Sequence, residues 1–64
     1  MKFKIGDLVR VVSTREHPIS IYKSLCVDKI GFIVEPLKSN EWCYVQFFDI
    51  QNPVPFQELN LIKE

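Results

Sequence analysis

The sequence predicts an all-β fold. Residues 1–64 form one domain, a small five-stranded barrel with a long loop after the first strand and a short 3₁₀ turn before the last. Three observations predict it. Runs such as Leu8-Val9-Arg10-Val11-Val12 and Gly31-Phe32-Ile33-Val34 are rich in β-branched and aromatic residues, which suit a pleated, half-buried surface. Proline, glycine, asparagine, aspartate and serine punctuate those runs with turn chemistry. The chain has 64 residues, 47% of them hydrophobic and only two of them glycine, a globular composition with space for one thin core.

Taken in order, Lys4-Ile5-Gly6-Asp7 is a turn into a first strand, Leu8–Ser13. Val9 and Val11 share one face and are assigned to the core, with Arg10 opposite, toward solvent. Thr14–Lys29 is a long connection in which Pro18 forbids regular pairing. Within it Ser20–Leu25 suits a single helical turn, with Ile21 and Leu25 at i,i+4 spacing, too short to stand without tertiary support. The apolar residues Ile19, Ile21, Tyr22 and Leu25 predict an ordered loop that folds back over the barrel. The second strand, Gly31–Glu35, opens on a glycine, which suggests a bend or a close backbone approach. Ile33 is its core residue, and Phe32 and Val34 face the other way. Pro36 is expected to end the pairing, and Lys38–Glu41 to form a polar turn.

Trp42–Phe48 is the third and strongest strand. Its alternation places Cys43, Val45 and Phe47 on one face and Trp42, Tyr44, Gln46 and Phe48 on the other. Asp49–Asn52 is a turn. Pro53-Val54-Pro55-Phe56 is extended, and its prolines confine it to a sheet edge or to irregular structure. Gln57–Asn60 reads as a 3₁₀ turn and Leu61-Ile62 as a final short strand.

Composition narrows the function. Lys plus Arg and Asp plus Glu number 8 each, so the net charge is zero, whereas generic nucleic-acid binding needs a basic excess. The halves differ: six basic and three acidic residues precede Ile33, two basic and five acidic follow from it. That leaves a bipolar surface or simple scatter of solvated charges as readings. Cys26 and Cys43 are not in a CxxC spacing, and with one histidine they are too few for a zinc site. A secreted domain this small usually carries more disulfides, so both are read as reduced thiols, Cys43 buried, in a cytoplasmic, reducing setting. The opening MKFKIGDLVR reaches Asp7 before an apolar run develops, so neither a signal peptide nor a membrane anchor is expected. No catalytic set stands out. His17 has no oriented partner, no G-x-S-x-G surrounds a serine, and Gly6 and Gly31 are isolated. The chain is read as a non-enzyme with no cofactor and no metal.

The fragments KIGDLVRVV, GFIVE, WCYVQFFD and PFQELNLI together resemble the pattern of the SH3-like small β-barrel superfamily. There "GD-x-V-x-V" opens the barrel, "G-x-I" starts the second strand and "V-x-F" precedes a closing "E-L-x-x-I". The resemblance covers nearly the whole chain. It implies a barrel of the kind found in KOW-type modules, in small subunits of photosynthetic electron-transfer complexes and in short phage-encoded proteins, on which many activities sit. In peptide-binding SH3 domains aromatics of the long loop line a polyproline groove, which places Tyr22 there. Arg15, Glu16 and Lys23 stand where that family carries an acidic cluster.

The best functional lead is aromatic. With one face of the sheet buried, Phe32, Trp42, Tyr44 and Phe48 point outward, to be met by the long loop or by a partner. Pro55 either shields an edge or shapes a groove wall. The expected function is a protein–protein interaction module, an accessory or structural subunit docked on a larger assembly through Tyr22, Phe32, Trp42, Tyr44, Phe48 and Pro55. The alternatives are nucleic-acid binding by Lys2, Lys4, Arg10, Arg15, Lys23 and Lys29, modulation of a host protein by a phage-encoded factor, and self-assembly into a homo-oligomer.

Overall fold

Five antiparallel strands share one sheet. The structure, a computed structural model, describes residues 3–37 and 41–64. In chain order the strands are β1 (Leu8–Val11), β2 (Ile30–Leu37), β3 (Trp42–Phe47), β4 (Val54–Gln57) and β5 (Leu61–Lys63), in the spatial order β4-β3-β2-β1-β5. Two 3₁₀ segments interrupt them: η1 (Ile21–Cys26) inside the long loop, and η2 (Glu58–Asn60) directly before β5. The all-β class, the five strands, the long early loop and the closing 3₁₀ turn all agree with the sequence reading. The sheet itself is not closed: β4 and β5 are its two edges, joined by η2 and not by a ladder. It curls instead, and residues from all five strands meet in one core.

Alternation decides which side chains enter that core. On β3, Cys43, Val45 and Phe47 are buried while Trp42, Tyr44 and Gln46 are half-buried. Val9 and Val11 of β1 and Ile33 of β2 are fully buried, and Arg10 turns outward to pair with Glu64 at 2.9 Å. Phe56 of β4 meets Phe47 edge to face, with ring centroids 5.9 Å apart. Phe3, Cys26, Phe56 and Leu61 complete the core from segments too short to show alternation.

At Gly31 the backbone of β2 approaches β3 closely. A Cβ there would sit 2.7 Å from the Gln46 carbonyl oxygen and 2.7 Å from a Val45 methyl. The glycine at the start of β2 is therefore required by close approach, one of the two reasons its position suggested.

Pro36 does not end β2, contrary to expectation. After a register shift between Ile33 and Glu35, the ladder resumes with Glu35↔Tyr44, Pro36↔Cys43 and Leu37↔Trp42. β1 pairs β2 only through Ile30–Phe32, so Pro36 stands where β2 has a ladder neighbour on one side alone, an edge-like position that tolerates proline. β1 stops at Val11, before Ser13. Its next residue donates to the Asn60 carbonyl, and the chain leaves the sheet. β3 stops at Phe47, so Phe48 belongs to the following turn. Most of the expected Lys38–Glu41 turn, and Lys2, lie outside the described residues.

The uneven charge of the two halves is knitted together by the fold. Arg10 pairs with Glu64, Lys29 with Asp49, and Asp7 with Lys63, each bond crossing from one half to the other. Replacing Gly31 by alanine forces backbone or core atoms to move. It should destabilise the domain by about 1–3 kcal/mol, read as a thermal midpoint lowered by roughly 4–8 °C per kcal/mol in circular dichroism.

Candidate functional site: a groove between the long loop and the β4 edge

The long loop is positioned by polar bonds more than by burial. The Thr14 hydroxyl accepts from the His17 N–H at 3.0 Å, and the Ser13 hydroxyl from the Ile19 N–H at 3.1 Å. These local bonds explain why hydroxyl residues begin the loop. Asn60, buried in η2, reaches across: its Nδ2 donates to the Val12 carbonyl at 3.0 Å and to the His17 carbonyl at 2.6 Å. Ile19 packs against the core and Cys26 enters it. The loop does fold back, through these residues and through Lys23.

η1 has an inverted polarity. A 3₁₀ helix has three residues per turn, so residues three apart share a face. Lys23 and Cys26 form the inward face. Tyr22 and Leu25 form an outward one, 94% and 82% exposed, and Ile21 is 88% exposed. The expected helical turn forms as a 3₁₀ segment, in which residues four apart such as Ile21 and Leu25 no longer share a face as they would in an α-helix.

Lys23 fills the inward position. Its Nζ donates to the Pro55 carbonyl of edge strand β4 at 2.6 Å. The same ammonium sits 5.0 Å from the Trp42 ring centroid and 5.3 Å from that of Phe56, within cation–π range of both. Burial pulls its pKa below the usual lysine value, and the nearby Cys26 thiol works weakly the other way. Burial likewise pushes both thiols up, at Cys26 and at Cys43. Both cysteines are free and buried.

Beside Lys23 opens a groove of about 210 Å³. Pro18, Ile19, Ser20 and Lys23 form its loop wall. Trp42, Phe56 and Gln57 form the sheet wall, and Asn60 closes the end. The fold thus brings two aromatics, one proline, one cation and two carboxamides to a common cleft.

The six residues proposed from sequence do not share one face. Trp42 lines the groove, and the long loop meets it through Lys23. Pro55 is half-buried in edge strand β4 and supplies the carbonyl that holds Lys23. Tyr22 stands outside, on the solvent face of η1. Tyr44 is half-buried between Glu35 and Pro55 in the ladder and does not line the groove. Phe32 and Phe48 lie toward the other end of β3, packed on each other with centroids 6.0 Å apart. Of the outer aromatics, Trp42 is thus at the groove, while Phe32 and Phe48 pack together toward the other end of β3. Lys23, Phe56 and Asn60 were missed as site residues. A lysine among apolar loop residues was the one available sign, since an inward charge reverses the usual pattern.

Among the described residues no helix is long and apolar enough to cross a membrane, and no three of His, Cys, Asp and Glu gather as a metal site. No family model, curated protein or solved structure matches the chain.

Two outcomes follow for this site. Asn60→Ala leaves the Val12 and His17 carbonyls short of a donor and should cost about 1–3 kcal/mol, with hydrogen exchange accelerated at the Ile19 and His17 amides. The second concerns pH. Lys23 has a lowered folded pKa, so between that value and the ordinary lysine value the unfolded chain binds more protons. Wild-type stability should therefore rise relative to Lys23→Met as pH climbs through that window; urea midpoints of the two proteins across alkaline pH measure the difference.

Proposed function

We propose that the protein is a non-enzymatic interaction module, a small accessory subunit that docks on a larger protein assembly through the loop-side groove and the outer face of η1. The inverted polarity of η1 carries this reading. Ile21, Tyr22 and Leu25 stand in solvent while a lysine is turned inward. Burying a large apolar side chain is worth roughly 1.5–3 kcal/mol, and the fold leaves that gain unrealised at three neighbouring positions. Contiguous exposed apolar surface of this kind is what protein interfaces use. The interaction site of this proposal differs from the one expected from sequence: Trp42 and Tyr22 remain in it, and Phe32 and Phe48 do not. The SH3-like resemblance is compatible with it.

The charge arrangement supports a protein partner over nucleic acid. Of the basic residues that a nucleic-acid surface would use, Arg10 and Lys29 are held in ion pairs and Lys23 is turned into the groove. Changing Ile21, Tyr22 and Leu25 together to serine should leave the thermal midpoint within a few degrees, because none of the three is buried. The same variant should lose the partners that the wild-type chain captures from its host. Unchanged capture by a folded variant would rule the reading out.

A second apolar surface favours self-association as well. Leu8, Ile30 and Ile62 are exposed on the outer side of β1, β2 and β5, and Phe48 is 79% exposed nearby. Sedimentation equilibrium decides this: a dimer should dissociate on Ile62→Lys or Phe48→Lys, and a monomer at every concentration removes the second reading.

A further inference from the structure

We infer that the groove receives an aspartate or glutamate side chain from an extended, acidic segment of the partner, bound by Lys23 beside the Trp42 ring. This rests on the proposed interaction module and names the chemistry its groove selects.

Size comes first. At about 210 Å³ the cleft falls short of the roughly 300–1,000 Å³ typical of small-molecule and cofactor sites. It is matched instead to one or two side chains entering from a segment laid across it.

Charge comes second. Among the described residues, Lys23 is the single ionisable one lining the cleft. An ammonium has three donors, and the Pro55 carbonyl takes one of them. The contacts that hold it are that carbonyl and two ring faces, none of which bears a full negative charge. Its depressed ionisation reflects this incomplete compensation. An incoming carboxylate supplies the missing charge in a partly desolvated place, where a charge-assisted hydrogen bond is strong. A basic side chain would meet Lys23 as a like charge. Glu41 and Glu58 are joined by a backbone bond at the β3–β4 end and do not line the cleft. The acid is thus directed to the loop side, near Lys23.

Approach geometry comes third. β4 is a sheet edge, the usual template for adding a strand. Here Pro53 and Pro55 remove donors and Lys23 occupies the Pro55 carbonyl. The partner segment therefore crosses the groove without extending the sheet. Its flanking residues meet Ile21, Tyr22 and Leu25, so apolar residues beside the acid are favoured.

A random decapeptide display library, selected on the intact chain and in parallel on Lys23→Met, tests this. The expected result is enrichment of Asp or Glu next to apolar residues on the wild type and loss of that enrichment on Lys23→Met. A selected peptide with its acid changed to the amide (Glu→Gln or Asp→Asn) should bind about tenfold or more weakly, as losing a hydrogen bond to a charged group implies. That comparison leaves the protein untouched, so a folding defect in Lys23→Met does not blunt it. Amide chemical shifts should move at Ser20, Lys23, Trp42 and Gln57. Selection of neutral, proline-rich or basic peptides that move the same amides would overturn the acidic preference and leave the interaction module standing. Peptides that bind without moving those amides, or no selected peptides at all, would overturn both.

Discussion

The buried side chain of Asn60 fixes the geometry on which the groove depends. Its two N–H groups go to carbonyls on either side of the loop's start, Val12 and His17, while its own backbone carbonyl accepts from Val12. One residue thereby ties the exit of β1, the first turn of the loop and η2 into a single unit. The tie matters because the loop buries little: Ile19 and Cys26 are its apolar anchors, and most of its other residues are exposed. A loop of this length must offset its closure entropy with contacts. Satisfied buried hydrogen bonds supply them and also specify one arrangement, because an unsatisfied carbonyl there is costly. The width of the cleft between Pro18 and Gln57 is set by this amide.

From that anchorage follows the position of Lys23. With the loop held at both ends, a 3₁₀ segment brings residues 23 and 26 to the same inner face. Cys26 completes the core; Lys23 falls short of it and lands on the open edge of β4. There the ammonium blunts the edge by occupying its carbonyl, and two aromatic rings receive its charge. Edge protection and the positive charge of the groove are then properties of one side chain. The same rotation of the helix puts Ile21, Tyr22 and Leu25 outside, so the exposed apolar surface and the inward cation are two results of one local geometry.

Across the rest of the molecule, complementary halves keep the surface neutral. Three ion pairs cross between the basic first half and the acidic second half. Pairs exposed to this degree contribute little to stability. Their consequence is to cancel local potential around Arg10, beside which Leu8, Ile30 and Ile62 stand exposed. A neutral apolar sheet face and a cationic groove give the domain two surfaces of different chemistry.

The strands were legible in the sequence because alternation is local. Val9, Val11, Ile33, Cys43, Val45 and Phe47 announce their burial by spacing alone, and Pro53 and Pro55 announce an edge. Gly31 announced a close approach for the same local reason. Pro36 misled, since whether a missing N–H matters depends on how far a neighbouring strand extends. Phe3, Cys26, Phe56 and Leu61 entered the core from segments too short to carry a period. The groove was illegible for a related reason: Lys23, Trp42, Phe56 and Asn60 are scattered along the chain and converge only after β3, β4, η2 and the loop are assembled. By itself, then, the sequence determined the all-β class, the order of elements and one buried face, all of which follow from short-range periodicity and turn chemistry. Tertiary structure alone decided which aromatics share a surface and which way η1 faces. Those depend on long-range bonds such as Asn60 to His17, and no local pattern encodes them.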